Sequence, residues 1–216
     1  MHEQEHQARD VPHAVGDIAQ EDEVGALRPP LEGVSVYPQV EDGLLPTWVG
    51  VGGTPQSVVR AAYYGFGLML AIIGGDPARF APFVDLYRAT MERFGHKGLP
   101  IGVHAPGHVA STDEQALEEL WPHFLAQRTK IGGERGWPPP TRAQFEREAG
   151  PDGALFVGSP STVAAKIATT ARTLHLSRFD LKYANGAMPH AQLMASIELI
   201  GTGVARRVRE LLGDAA

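Results

Sequence analysis

The 216-residue chain contains no cysteine, so it makes neither disulfides nor thiolate metal sites, a usage suited to a reducing cytoplasm. Long apolar runs are missing too: none approaches the roughly 20 residues of a membrane helix, and Met1–Asp10 is too polar for a secretory signal. These absences predict a soluble, cytoplasmic protein with no membrane partner. Aromatic residues are few, and no basic, aromatic-striped stretch marks a nucleic-acid surface. Beyond residue 33 net charge is lacking as well, because acids and bases balance there. Residues 1–33 hold eight acids (Glu3, Glu5, Asp10, Asp17, Glu21, Asp22, Glu23 and Glu32) against Arg9 and Arg28, and carry the whole net charge of −6. This acidic, aromatic-free head predicts a disordered or non-native lead-in over 1–33, ahead of a folded part over 34–216.

What the chain does have is a glycine-rich turn set between a strand and a helix. Leu45 to Val51 is a short apolar run, Gly52-Gly53 follows, and Thr54-Pro55 opens a helix: threonine can cap it and proline fits its first turn. Glycines let a ligand approach the backbone, and the free N–H groups of a first helical turn suit an anion such as a phosphate. The same residues also serve a plain tight turn, so the pattern alone leaves both readings open.

From about residue 34 the chain alternates strand-like and helix-like segments. Strands are predicted at Val49–Val51, at Gly67–Ile73 (a continuous apolar run, as in a strand buried on both faces), at Leu99–His104 with an extension to Ala110, and at Arg178–Tyr183. Helices are predicted around Ser57–Tyr64, at Ala78–Phe94, from a capping-box-like Ser111–Gln115 through Phe124, at Ser161–Leu174 and at Pro189–Leu212. Gly132–Pro140 reads as a break, and 132–158 as an insertion with a short polar helix at Thr141–Ala149. Alternating strands and helices predict an α/β fold with a parallel sheet, about four βα units in all. Four units make half of an eightfold barrel and leave two sheet edges unpaired, which predicts a fragment, an open sheet, or copies associating through those edges.

Four segments in order carry a family resemblance: Leu45–Ala62, Gly102–Glu114, Leu155–Ile167 and Phe179–Tyr183. Over about residues 29–213 the chain resembles the C-terminal half of the bacterial luciferase-like, flavin-dependent monooxygenases. The resemblance implies a partial TIM-type (β/α)8 barrel binding FMN, or a deazaflavin, at the C-terminal ends of its strands. Val49–Val51 would then be barrel strand five and Arg178–Tyr183 strand eight. It also implies that Gly52, Gly53, Thr54 and Ser57 hold the flavin phosphate, that His104 and His108 lie near the ring, and that a small organic substrate is oxidised with O₂ or a nicotinamide hydride, NAD(P)H serving as reductant. The first half of the barrel has no counterpart here, and residues 1–27 match nothing expected upstream of strand five. The competing reading is a non-catalytic or accessory half-barrel.

Other constellations read as structural. Asp76 in Gly74-Gly75-Asp76-Pro77 would repel a phosphate and serves as a helix cap, and Gly158-Ser159-Pro160, read as preceding the helix that leads into the last strand, is placed away from the catalytic face. His104 and His108 are also what a backbone-satisfied Pro-Gly turn would use, and Lys182 and Asn185 end the last strand, near substrate or simply in solvent. His2-Glu3-Gln4-Glu5-His6, with His13 as a conceivable third ligand, matches the zinc-protease pattern in letters only, with no helix or cleft around it, so no metal site is expected.

Overall fold

A computed structural model of the chain describes Tyr37 and residues 45–213. The expected boundary near residue 33 and the His2–His6 pattern lie outside these residues. The chain divides into Met1–Pro46 and Thr47–Ala216, and every strand and helix below belongs to the second unit.

The elements alternate as β1 (Trp48–Val51), α1 (Pro55–Tyr63), β2 (Gly67–Ala71), α2 (Ala81–Arg93, entered through a 3₁₀ turn at Pro77–Phe80), β3 (Ile101–Val109), α3 (Asp113–Arg135), α4 (Arg142–Ala149), β4 (Phe156–Gly158), α5 (Pro160–Leu174), β5 (Arg178–Lys182), α6 (His190–Leu199) and α7 (Ala205–Leu212). A π-helical turn, Ile200–Val204, joins the last two helices. Every strand pairing is parallel: β1 with β2, β2 with β3, and both β4 and β5 with β3. The architecture is the expected α/β partial barrel, with five parallel strands among the described residues where four were predicted.

The added strand is β4. Phe156–Gly158 falls in the segment read as an insertion, because three residues are too few to show a period. Only pairing identifies it: Gly107, His108 and Val109 stand opposite Phe156, Val157 and Gly158. A second difference concerns Gly132–Pro140, read as a break. Helix α3 runs through Gly132 and Gly133 to Arg135 and stops at Gly136, which takes the left-handed conformation (φ 71°). Gly132 has a packing reason to be there: a Cβ would stand 2.8 Å from Trp137 O, where the chain folds back on the helix.

The larger core lies on one face of the sheet. Val51, Leu68, Leu70, Val103 and Ala105 meet Val58 and Ala62 of α1, Val84 and Tyr87 of α2, and Val163 and Ile167 of α5. Residues alternate across a strand, so Trp48, Met69, Ala71, His104, Pro106 and Asp180 share the opposite face, where they remain only partly buried. A smaller core joins Leu120 and Phe124 of α3 and Phe145 of α4 to Leu155, Val157 and Met188.

Two buried polar groups tie helices to the sheet. Tyr87 is fully buried and its hydroxyl donates to Phe66 O at 2.6 Å. Lys166 of α5 donates to Gly150 O (2.5 Å), Leu155 O (2.7 Å) and Ala149 O (3.4 Å), placing a cation at the C-terminal end of α4. Desolvation pushes the Tyr87 phenol up from 10.0 to about 12 and the Lys166 ammonium down from 10.5 to about 8.

The signs follow from which state holds more protons. Between pH 8 and 10.5 the unfolded chain binds more at Lys166, so stability rises with pH. Between pH 10 and 12 the folded chain keeps the Tyr87 proton that the unfolded chain loses, so stability falls. Chemical denaturation across pH 7–12 should therefore show a maximum near pH 10. Lys166→Met should abolish the rising limb. Tyr87→Phe should abolish the falling one and cost about 1–3 kcal/mol, because Phe66 O loses its buried donor.

Candidate functional site

In a parallel α/β sheet, helix N-termini and strand exits gather at one edge. Three exits here share one design, a glycine followed by a helix start, and they differ in who occupies the anion seat. At the exit of β2, Asp76 fills it with its own carboxylate, Oδ1 accepting the Ala78 N–H at 2.8 Å. At the exit of β4 the occupant is Asp113. Its Oδ1 accepts the Ser159 N–H at 2.6 Å and its Oδ2 the Thr162 hydroxyl at 2.9 Å. The Ser159 amide foremost, with the Thr162 hydroxyl, holds the Asp113 carboxyl below the usual carboxylate range. Gly158 is there for this contact: its φ is +149°, and a Cβ would stand 2.7 Å from Asp113 Oδ1.

The third exit, after β1, is open. Gly52, Gly53 and Thr54 are exposed, and a Cβ on either glycine would meet nothing within 4 Å. Thr54 stands at the N-cap of α1, yet its side chain caps no backbone amide; its hydroxyl donates to Ser57 Oγ at 2.8 Å instead. Pro55 has no N–H. Among the described residues, the N–H groups of Gly52, Gly53, Thr54 and Gln56 make no hydrogen bond. Thus the four residues expected to hold a phosphate lie together at one turn, three of them exposed and Ser57 half-buried, with no acidic residue in the first turn of the helix.

Placing Gly158-Ser159-Pro160 away from the strand exits is corrected by β4: the turn follows a strand parallel to β3, beside Ala110, whose N–H donates to Gly158 O at 3.2 Å. Its structural reading stands for another reason, the carboxylate already seated there.

The two histidines separate. His104 is half-buried on the face that the larger core leaves uncovered, opposite Ala71 on one strand and Asp180 on another. Gly52 is one residue past Val51, the partner of Leu70, so it is two interstrand spacings, about 10 Å, from His104. His108 is fully buried, with Nε2 2.7 Å from Glu119 Oε2; Glu119 Oε1 in turn accepts from Gln115 Nε2 at 2.7 Å. Among the described residues its Nδ1 has no hydrogen-bond partner.

Asn185 does structural work that its residue type alone does not reveal. β5 pairs only as far as Pro106, and beyond it Asn185 Nδ2 donates to Gly107 O at 2.8 Å while Ser196 Oγ accepts the Val109 N–H at 3.0 Å. Lys182 is exposed at the end of β5. Sequence reasoning missed Asp113 and Glu119; the signal for Asp113 was an acid at the first position of a capped helix, and Glu119 carried none.

The chain shares its fold with several solved structures. Monooxygenase RslO1 from Streptomyces bottropensis is 21% identical, aligned over 74% of this chain and 47% of that one, with a TM-score of 0.59. The oxygenating constituent of 3,6-diketocamphane monooxygenase from Pseudomonas putida, solved with FMN, is 18% identical over 74% and 48%, TM-score 0.57. An F420-dependent secondary alcohol dehydrogenase, solved with an F420-acetone adduct, is 13% identical over 78% and 50%, TM-score 0.55. The chain spans about half the length of each. No curated protein matches it in sequence. Among the described residues no group of His, Asp and Glu forms a metal site, and no helix is long and apolar enough to cross a membrane. The model of one family, described as luciferase-like monooxygenase, matches residues 3–176, and this establishes that the chain belongs to the luciferase-like monooxygenase family.

Proposed function

We propose that the chain is a flavin-dependent oxidoreductase that seats the phosphate of FMN, or of a deazaflavin, at the exit of β1 and acts on a small organic substrate with O₂ or a nicotinamide hydride. The observation that carries this reading is the contrast among the glycine exits: those after β2 and β4 are filled by Asp76 and Asp113, whereas the one after β1 presents unpaired amides to solvent. An internal carboxylate and a ligand phosphate compete for the same geometry, so an unfilled seat favours a ligand.

In this reading the N–H groups of Gly52, Gly53 and Gln56 donate to phosphate oxygens, and the hydroxyls of Thr54 and Ser57, now bonded to each other, turn toward them. Glycine at position 53, with its φ of +138°, gives the turn the conformation that presents these amides. His104, two strands away on the uncovered face, would be the residue to hydrogen-bond the flavin ring. The flavin supplies the electron transfer, which no side chain here can perform. His108 would act only through its neighbours, because its ring is fully buried and its Nε2 is held by Glu119. NAD(P)H as reductant and association of copies through the sheet edges complete the proposal, and the accessory half-barrel is the outcome if no flavin binds.

FMN fluorescence quenching should report micromolar binding to the intact chain. Gly52→Ala, which adds a methyl into open space, should leave affinity within about twofold, whereas Gly52→Asp, which places a carboxylate in the seat, should weaken it at least about tenfold. Equal binding by the two variants would refute the assignment of the phosphate.

Asp113→Ala should behave oppositely. It should leave FMN affinity unchanged and destabilise the fold by about 1–2 kcal/mol through two lost hydrogen bonds. Because the Asp113 pKa is lowered in the fold, its contribution is present above the unfolded carboxylate pKa and fades as pH falls through the folded one. Denaturation of both proteins should therefore converge in acid.

A further inference from the structure

We infer that two copies of the chain close one barrel, the outer edge of β1 in each pairing in parallel with the outer edge of β5 in the other, so that Lys182 of one copy stands beside the Gly52–Gly53 turn of its partner. This specifies how copies associate through their sheet edges. The pairing rests on the sheet alone, and only the part given to Lys182 rests on the phosphate reading.

Both edges are open. Along a parallel strand, successive residues turn their N–H and C=O alternately to one side and the other. Gly67 N–H donates to Thr47 O, so Thr47, Val49 and Val51 face β2, while Trp48 and Gly50 face outward. At the far edge Ser177 N–H donates to Ile101 O, so Phe179 and Leu181 face β3, while Arg178 and Asp180 face outward. Among the described residues, the backbone groups of these four outward residues make no hydrogen bond. The face between the edges is open as well: Gly50 is exposed, and Trp48, Met69, Ala71 and Pro106 stay half-buried on a face that an all-parallel sheet normally covers. Trp48 lies across Gly67 and Gly102, where a Cβ would come within 2.9 and 3.1 Å of its ring, so the indole spreads an apolar surface over that face.

A second copy meets both needs at once. A half-turn about an axis parallel to the strands, in front of the uncovered face, preserves the direction of every strand. It turns the two faces inward and the helices outward, and it brings β1 of each copy beside β5 of the other. The chain aligns to 47% of RslO1 and 48% of the diketocamphane monooxygenase, so two copies together account for the length of one such chain. Charge agrees with this arrangement. The first turn of α1, Pro55-Gln56-Ser57-Val58, brings no cation to the anion seat, whereas Lys182 is exposed at the end of β5 and its ammonium has no partner among the described residues. Within one copy β2 and β3 separate the two, three interstrand spacings or about 14 Å; across the pairing only one spacing remains. The counter-charge for the phosphate then comes from the other copy.

Mass and complementation test this. Light scattering should give twice the chain's 23.2 kDa. Gly50→Pro and Asp180→Pro each remove one outward N–H that no strand of the same copy uses, so each should weaken association at least about tenfold while the circular dichroism spectrum is kept. Gly50→Glu, whose side chain enters open space in the single copy, replaces either variant that fails to fold. A single-chain mass for the unaltered protein, or a dimer of undiminished affinity in the folded variants, overturns the pairing. Lys182→Glu and Gly52→Asp should each weaken FMN binding at least about tenfold. After exchange of copies, an equimolar mixture of the two should regain about a quarter of the original sites, because half of the dimers are mixed and each mixed dimer joins one intact Gly52 turn to one intact Lys182. No recovery in the mixture overturns the role of Lys182. If the unaltered chain binds no FMN, the flavin reading and the Lys182 role fail together, and mass still judges the pairing.

Discussion

The need to pair every backbone group of β3 governs much of this structure. At nine residues β3 is longer than every strand that joins it, and parallel pairing leaves whatever extends past a neighbour's end unsatisfied. Three strands share it: β2 and β5 along its first half, β4 along its last third. Where β5 gives out, the Asn185 amide and the Ser196 hydroxyl act as substitute backbone, drawing the segment after β5 and helix α6 onto the strand. His108 sits in this stretch, which explains why it is buried and why a carboxylate from α3 meets it.

The same logic of unsatisfied groups separates the strand exits. Each helix start offers amides that need an acceptor. Two exits recruit one from the chain, and the acid that fills the seat after β4 comes from 46 residues away. The exit after β1 recruits none, and its threonine bonds a serine rather than the helix. Among the three glycine exits, only the one after β1 leads into a helix start with no side-chain cap on a backbone amide, a difference that the glycines, common to all three, do not show.

Much of this was legible from residue order. The parallel α/β class, the helix starts at Thr54-Pro55 and Ser159-Pro160, and the grouping of Gly52, Gly53, Thr54 and Ser57 follow from turn chemistry and apolar runs, whose causes lie within a few residues. The expected capping box at α3 is half present: Thr112 accepts the Gln115 amide, but the Gln115 side chain bonds Glu119 instead of returning. Illegible were the strand β4, too short for a period, and the continuation of α3 through two glycines, which packing against Trp137 favours over local propensity.

Sequence by itself determined most of the strands and helices, β4 and the end of α3 excepted, and where glycine turns open onto helix starts, because propensity, capping and periodicity act over one or two helical turns. Only the tertiary structure decided which of those turns is free and that His104 lies half-open while His108 is buried. Those outcomes depend on hydrogen bonds and ion pairs between residues far apart along the chain, and no local pattern encodes which distant acid arrives first.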